Sequence, residues 1–161
     1  MTVNEAIAQN LTAAGALLER MTADLTPQDY LHRPCAEANC AAWIVGHLIL
    51  TERGALKRLG VTDLPPLPEG FETRFARDTT APRAGDFGDV TQLVPLFKQH
   101  RAMLVEAVKR ATHEQLGKPL DKPHPLFTTV GGSVNFMGVH VSMHSGQIST
   151  IRRTLGRPPL I

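Results

Sequence analysis

The sequence predicts an all-α protein, a single domain over 1–161 folded as a four-helix bundle. Three observations lead there. Apolar residues recur three and four apart in four windows, about 2–24, 40–59, 90–112 and 133–155, the period of one buried helix face. The two later gaps between these windows are long and rich in helix breakers, as at Pro65-Pro66-Leu67-Pro68 and Gly131-Gly132. No convincing strand pair and no internal repeat appear. Four amphipathic helices with two long connections make a bundle.

The first helix opens at Thr2-Val3-Asn4-Glu5, which has the form of a capping box. Ile7, Leu11, Ala14, Leu18 and Met21 then mark its buried stripe, and it ends before Thr26-Pro27. Pro27 to Asn39 reads as a connection, because Pro34 excludes regular helix through its middle. Asn39 is the expected N-cap of the second helix and Gly60 its stop. Cys40, Ile44, Leu48, Ala55 and Leu59 form its stripe, with His47 one turn after Trp43 on that side.

Residues 61 to 88 carry Pro65, Pro66, Pro68, Gly70, Pro82, Gly85 and Gly88. So long a loop is either a wall of a binding pocket or a plain surface connection, with Phe71 to Phe75 as one short helical turn inside it. The third helix starts around Asp89 or Thr91 and runs to Thr112. Its seam is Leu93, Phe97, His100, Leu104, Ala107 and Ala111, and Pro95 sits in the first turn, where a missing N–H is tolerated. A second loop follows with Gly117, Pro119, Pro123, Pro125 and Gly131-Gly132. Ser133 is the expected N-cap of the fourth helix, which stops at Gly156 before Pro158-Pro159.

Composition narrows the function. Hydrophobic content of 42% and charge of 20% suit an ordinary globular domain. Seventeen basic against fifteen acidic residues leave +2, and the cations are scattered, so no surface for nucleic acid is expected. Arg152, Arg153 and Arg157 cluster only where they would complement the end of the last helix. No stretch reaches the ~20 apolar residues of a membrane span, and the N-terminus lacks the regions of a signal peptide, so a cytoplasmic protein is expected. Cys35 and Cys40 are the only cysteines, too few for a disulfide framework or a zinc cluster of their own.

The chemistry lies in Phe136-Met137-Gly138-Val139-His140-Val141-Ser142-Met143-His144-Ser145-Gly146-Gln147-Ile148. Residues four apart on a helix stand one turn above another, so His140 and His144 can reach a single ion. His47 is a third histidine in an apolar helix, and the three together point to a mononuclear, all-histidine site for a divalent metal. Zinc, nickel, copper or iron would suit such ligands. Three hydrogen-bonded core histidines are the competing reading. His100 lies on a core seam and is a further candidate to touch the metal or a ligand. His32, His113 and His124 fall in polar or proline-containing stretches and read as surface residues. Gln147, three residues after His144, is placed to orient a ligand histidine or to serve as a polar boundary residue. Ser142, Ser145 and Ser149 point off the histidine face. Val141 stands where a His-Glu-x-x-His protease would carry its base, so that mechanism is excluded.

Ala42-Trp43-Ile44-Val45-Gly46-His47-Leu48 and His140-x3-His144-Ser145-Gly146-Gln147-Ile148 resemble the signature segments of the DinB/YfiT-like metalloenzymes. The spacing between them, the 60–88 connection and the Leu155-Gly156-Arg157-Pro158 ending match as well. The resemblance implies an up-down-down-up bundle, usually a homodimer, with His47, His140 and His144 as the metal triad. It also implies a small-molecule substrate, since relatives include thiol-cofactor S-transferases and mycothiol-dependent isomerases. A metal-dependent enzyme, with a low-molecular-weight thiol as partner, is therefore the leading expectation. A metal- or small-ligand-binding protein without turnover, and a purely structural metal, are the alternatives.

Overall fold

The first helix starts where Thr2 can cap it. In the computed structural model, which describes residues 1–77, 86–158 and 160, the Thr2 hydroxyl accepts from the Glu5 N–H. The Glu5 carboxylate in turn accepts from the Thr2 N–H at 2.7 Å. Helix α1 spans Val3–Thr22 and buries Ile7, Leu11, Ala14, Leu18 and Met21, the stripe its spacing predicts. A second capping box, Thr26 with Asp29, adds the one-turn helix α2 (Pro27–Tyr30) inside the expected connection.

Helix α3 (Ala41–Arg58) begins one residue later than expected. Cys40, not Asn39, takes the N-cap position with an extended backbone, and its side chain is wholly buried in the core. Apolar burial at the cap outweighs the better capping chemistry of asparagine. Gly60 closes α3 at φ 83°, letting the Gly60 and Val61 N–H groups reach the Lys57 and Leu56 carbonyls. Beyond it, Phe71–Phe75 forms the short helix α4 and buries both rings. Pro82, Gly85 and Pro159 lie outside the described residues.

A 3-10 turn capped by Asp89 (Val90–Gln92) leads into α5 (Leu93–Arg110). This helix stops short of Thr112, because Thr112 instead caps α6 (His113–Gly117) by accepting from the Gln115 N–H. Two expectations then fail. Strand β1 (Pro119–His124) pairs antiparallel with β2 (Phe127–Thr129), although the segment reads as a proline-rich loop. In a two-stranded ribbon each strand is an edge, so a missing N–H can face outward. The last helix, α7 (Val130–Thr154), is capped by Thr129, whose side chain accepts from the Gly132 N–H at 3.1 Å. Ser133 lies inside it, buried, with its hydroxyl donating to the Val130 carbonyl. Gly131-Gly132 is thus helical, and a Cβ on Gly131 would stand 3.0 Å from the Leu116 carbonyl oxygen. The missing side chain lets α6 approach α7.

The chain is mostly helical, in keeping with the all-α expectation. Helix α1 packs on α7 and α5, and α3 packs on the same two. Leu18, Ile44, Leu48, Phe97 and Ile148 belong to one apolar cluster, and Leu11, Leu56, Leu104 and Val134 to another. Between these levels Glu52 and Arg101 form a buried ion pair at 2.7 Å, and Arg101 also donates to the Leu11 carbonyl. The C-terminal arginines do more than face a helix end: Arg152 and Arg157 pair with Asp24, and Arg157 with Asp29, tying α7 to the α1–α2 corner. The guanidinium of Arg152 holds the Asp24 carboxyl below its usual range. No helix among the described residues is long and apolar enough to cross a membrane.

Candidate metal centre

The helical repeat sets the first two groups of the site. His140 and His144 stand one turn apart on α7, with ring centroids at 4.7 Å and their Nε2 atoms 3.1 Å apart. Packing of α3 against α7 brings His47 to both, at centroid distances of 5.4 and 5.5 Å. Among the described residues these three histidines form a group whose potential ligand atoms all lie within 4.8 Å of one another.

Two of the three rings have a neighbour that fixes their orientation. The indole of Trp43, one turn earlier on α3, lies flat on His47 at 4.8 Å with planes 5° apart. The Phe75 backbone also interacts with His47 as a hydrogen-bond acceptor, which works against the lowering of the His47 pKa by burial. Gln147 Oε1 lies 2.9 Å from His144 Nδ1, so Nδ1 carries the proton and the Nε2 lone pair points toward His140. Phe136, one turn before His140, runs nearly parallel to that ring at 6.1 Å. His140 Nδ1 is buried with no hydrogen-bond partner.

The electrostatics favour neutral rings. Burial pushes His47 and His140 down to about 4, helped by repulsion that a proton on one ring would meet from His144 and from Arg77. Burial also lowers His144, against the hydrogen bond that it donates to Gln147. At neutral pH all three imidazoles therefore keep lone pairs for coordination.

This donor set fits a divalent transition metal. Two nitrogens each about 2.05 Å from a tetrahedral ion stand about 3.3 Å apart, close to the observed Nε2 separation. A span of 4.8 Å across the group is wider than a bound ion allows, so the rings would close slightly around it. Three nitrogens would leave a coordination position for a ligand. His47, His140 and His144 could hold the ion, with Gln147 fixing the His144 ring from behind and the Phe75 backbone accepting from His47.

His100 stands apart from this group. It is wholly buried, its Nδ1 donating to the Leu96 carbonyl at 2.8 Å and its Nε2 accepting from Arg53 at 3.0 Å. Both ring nitrogens are used, which makes it a hydrogen-bonded core histidine. Cys35 is exposed and Cys40 buried, and neither joins the histidine group. The hydroxyls of Ser142 and Ser145 donate back to the Gly138 and Val141 carbonyls of their own helix.

A cavity of about 450 Å³ opens beside His47 and His140, walled by Phe75, Phe127 and Phe136 and reached by Arg58 and Arg77. Phe75 and Arg77 come from the long 61–88 connection, so part of that loop is a cavity wall. His124, expected on the surface, is exposed but also lines this cavity, its ring stacked on Phe127 at 4.2 Å. Trp43 and Phe136 were legible one turn from a site histidine. Nothing near Arg58, Arg77 or His124 in the sequence marked them.

A family model described as the DinB superfamily matches residues 10–148. No curated protein matches the chain. Among solved structures, the crystal structure of a conserved protein from Enterococcus faecalis is similar with a TM-score of 0.74. The match covers 98% of this chain and 99% of that one at 19% identity, a likeness of fold.

Proposed function

Since the chain belongs to the DinB superfamily, we propose that His47, His140 and His144 hold one divalent transition metal at the centre of an up-down-down-up four-helix bundle, and that this metal serves an enzyme. The observation that carries the reading is the pair of Nε2 atoms 3.1 Å apart on neutral rings, with Gln147 holding the His144 proton on the far nitrogen. A bound metal would lower the pKa of a thiol or water in an open coordination position, supplying a nucleophile at neutral pH. The aromatic walls would exclude bulk water, and the His47 and His144 rings would stay oriented by Trp43 and Gln147.

Among the described residues no carboxylate lines the cavity, and outside the triad only the exposed His124 there could act as a general base. A thiol, with an ordinary pKa of about 8.5, needs such a base less than water does. That favours transfer of a low-molecular-weight thiol to a small substrate over hydrolysis. The same lack of a carboxylate supports the second reading, a metal- or ligand-binding protein without turnover. Two free cysteines accord with a reducing, cytoplasmic setting, and a homodimer is expected from the family resemblance.

The test is metal content of the purified protein by elemental analysis, beside a His140→Ala/His144→Ala variant. The expected result is about one equivalent of a transition metal, lost in a variant that still folds. A metal-replete protein that carries none would overturn the proposal. Gln147→Leu should weaken metal affinity by about 10–100-fold while leaving the thermal midpoint of the metal-free protein unchanged. An unchanged affinity would remove Gln147 from the site.

A further inference from the structure

The charged side chains that reach the cavity beside the imidazoles are of one sign. Arg58, at the end of α3, and Arg77, two residues past α4, both reach it, and among the described residues that line it there is no Asp or Glu.

The rest of the lining includes a run of rings. His124 lies flat on Phe127 at 4.2 Å, Phe127 meets Phe136 at 5.2 Å, and Phe136 runs on to His140 at 6.1 Å. A cation placed here would face two like charges. A wholly apolar ligand would cover guanidinium groups without giving them an acceptor, which is costly. A carboxylate answers both, because the planar fork of an arginine donates two parallel hydrogen bonds to it. A volume of about 450 Å³ suits a small molecule and is too small for a folded partner.

We propose that this cavity takes a small organic carboxylate, its apolar and preferably planar body along the Phe127–Phe136 wall and its anionic head on the Arg58–Arg77 rim. The proposal rests on reading the cavity as the substrate site of the histidine group, and it adds the class of molecule that enters. The arginine rim holds the acid, the ring wall sorts its body, and the part of the ligand nearest His47 and His140 faces the metal position.

The probes are phenylacetate and its neutral isostere phenylacetamide, titrated calorimetrically into chelator-treated and into metal-loaded protein. The acid should bind at least about tenfold more tightly than the amide in both forms. In an Arg58→Gln/Arg77→Gln variant the two affinities should fall within about twofold of each other. Thermal melting of the variant checks its fold, and both arginines are exposed. Equal affinities, no binding of the acid in either form, or a preference that survives in the variant would each overturn the proposal. So would inorganic phosphate competing as well as the acid, since that would mark a bare anion site. A preference seen only with metal present would put the carboxylate on the ion, refuting the arginine rim and leaving the metal reading intact. A preference kept by a protein that binds no metal would sink the metal reading and leave the rim standing.

Discussion

Replacing Gly46 by alanine sets two effects of opposite sign against each other. Gly46 lies within α3, where alanine favours the helix by about 1 kcal/mol. A Cβ there would stand 2.2, 2.4 and 2.5 Å from three atoms of the Phe75 ring. Ordinary carbon contacts are about 3.5–4.0 Å, so the ring must retreat by roughly 1 Å or more. Phe75 is wholly buried, with Phe71 at 4.4 Å and Phe87 at 5.7 Å, so its retreat is limited to the cavity that it walls. Forcing it out approaches the loss of a Phe→Ala truncation, about 3–5 kcal/mol. Less the helix gain, the net destabilisation is about 2–4 kcal/mol, or about 4–16 °C in Tm for a chain of this size. Gly54 is the internal control. It lies in the same helix with nothing within 4 Å of an added Cβ, so Gly54→Ala should gain up to about 1 kcal/mol. Urea and thermal unfolding of both metal-free variants, followed by far-ultraviolet circular dichroism, decide the sign. Because the Phe75 backbone accepts from His47, Gly46→Ala should also loosen metal binding by about tenfold or more. A Gly46→Ala protein as stable as Gly54→Ala would refute the reasoning.

Two pH dependences of opposite slope follow. Burial pushes the Glu52 carboxyl up to about 7 against the pull of Arg101, so the folded protein takes up this proton before the unfolded chain does. Stability from Glu52 is present below the unfolded value and is lost as pH rises through 7. Wild type should therefore lose about 3 kcal/mol relative to Glu52→Gln between pH 4.5 and pH 8, measured by urea titration. A flat difference would mean that Arg101 holds the carboxyl at its ordinary value. His140 runs the other way in the metal-free protein, its folded value lowered to about 4. Its contribution is complete above the unfolded pKa and is lost as pH falls from about 6.5 through 4. With the ring partly open to solvent, wild type should fall by about 1–2 kcal/mol relative to His140→Phe across that window, Glu52 cancelling in the difference. A difference that grows on acidification would show that the ring is not buried neutral.

Much of the fold was legible because the cues are local. Thr2 and Glu5 cap α1 through bonds spanning three residues, and Gly60 and Gly156 stop their helices through a backbone conformation that a side chain resists. The stripe Ile7, Leu11, Ala14, Leu18, Met21 needs only the 3.6-residue period to be found. Where such cues failed, a distant contact had overruled them. Asn39 lost the N-cap to Cys40 because the thiol is buried in the core, and Gly131, read as a loop breaker, is a helical residue that lacks a side chain where α6 comes close. The β1–β2 hairpin was hidden by its prolines.

The candidate site divides along the same line. That His140 and His144 share a face, and that Gln147 stands behind one of them, is determined by the sequence alone, since residues three and four apart on one helix must meet. That His47 joins them while His100 does not was decided by the tertiary structure. Both occupy apolar seams, but α3 turns His47 toward α7, whereas His100 finds Leu96 and Arg53 for its two nitrogens. The cavity belongs wholly to tertiary structure: Arg77 arrives from a connection, Arg58 from a helix end and His124 from a hairpin. Local periodicity is written into neighbouring residues, but which faces meet depends on how burial is shared across the whole chain.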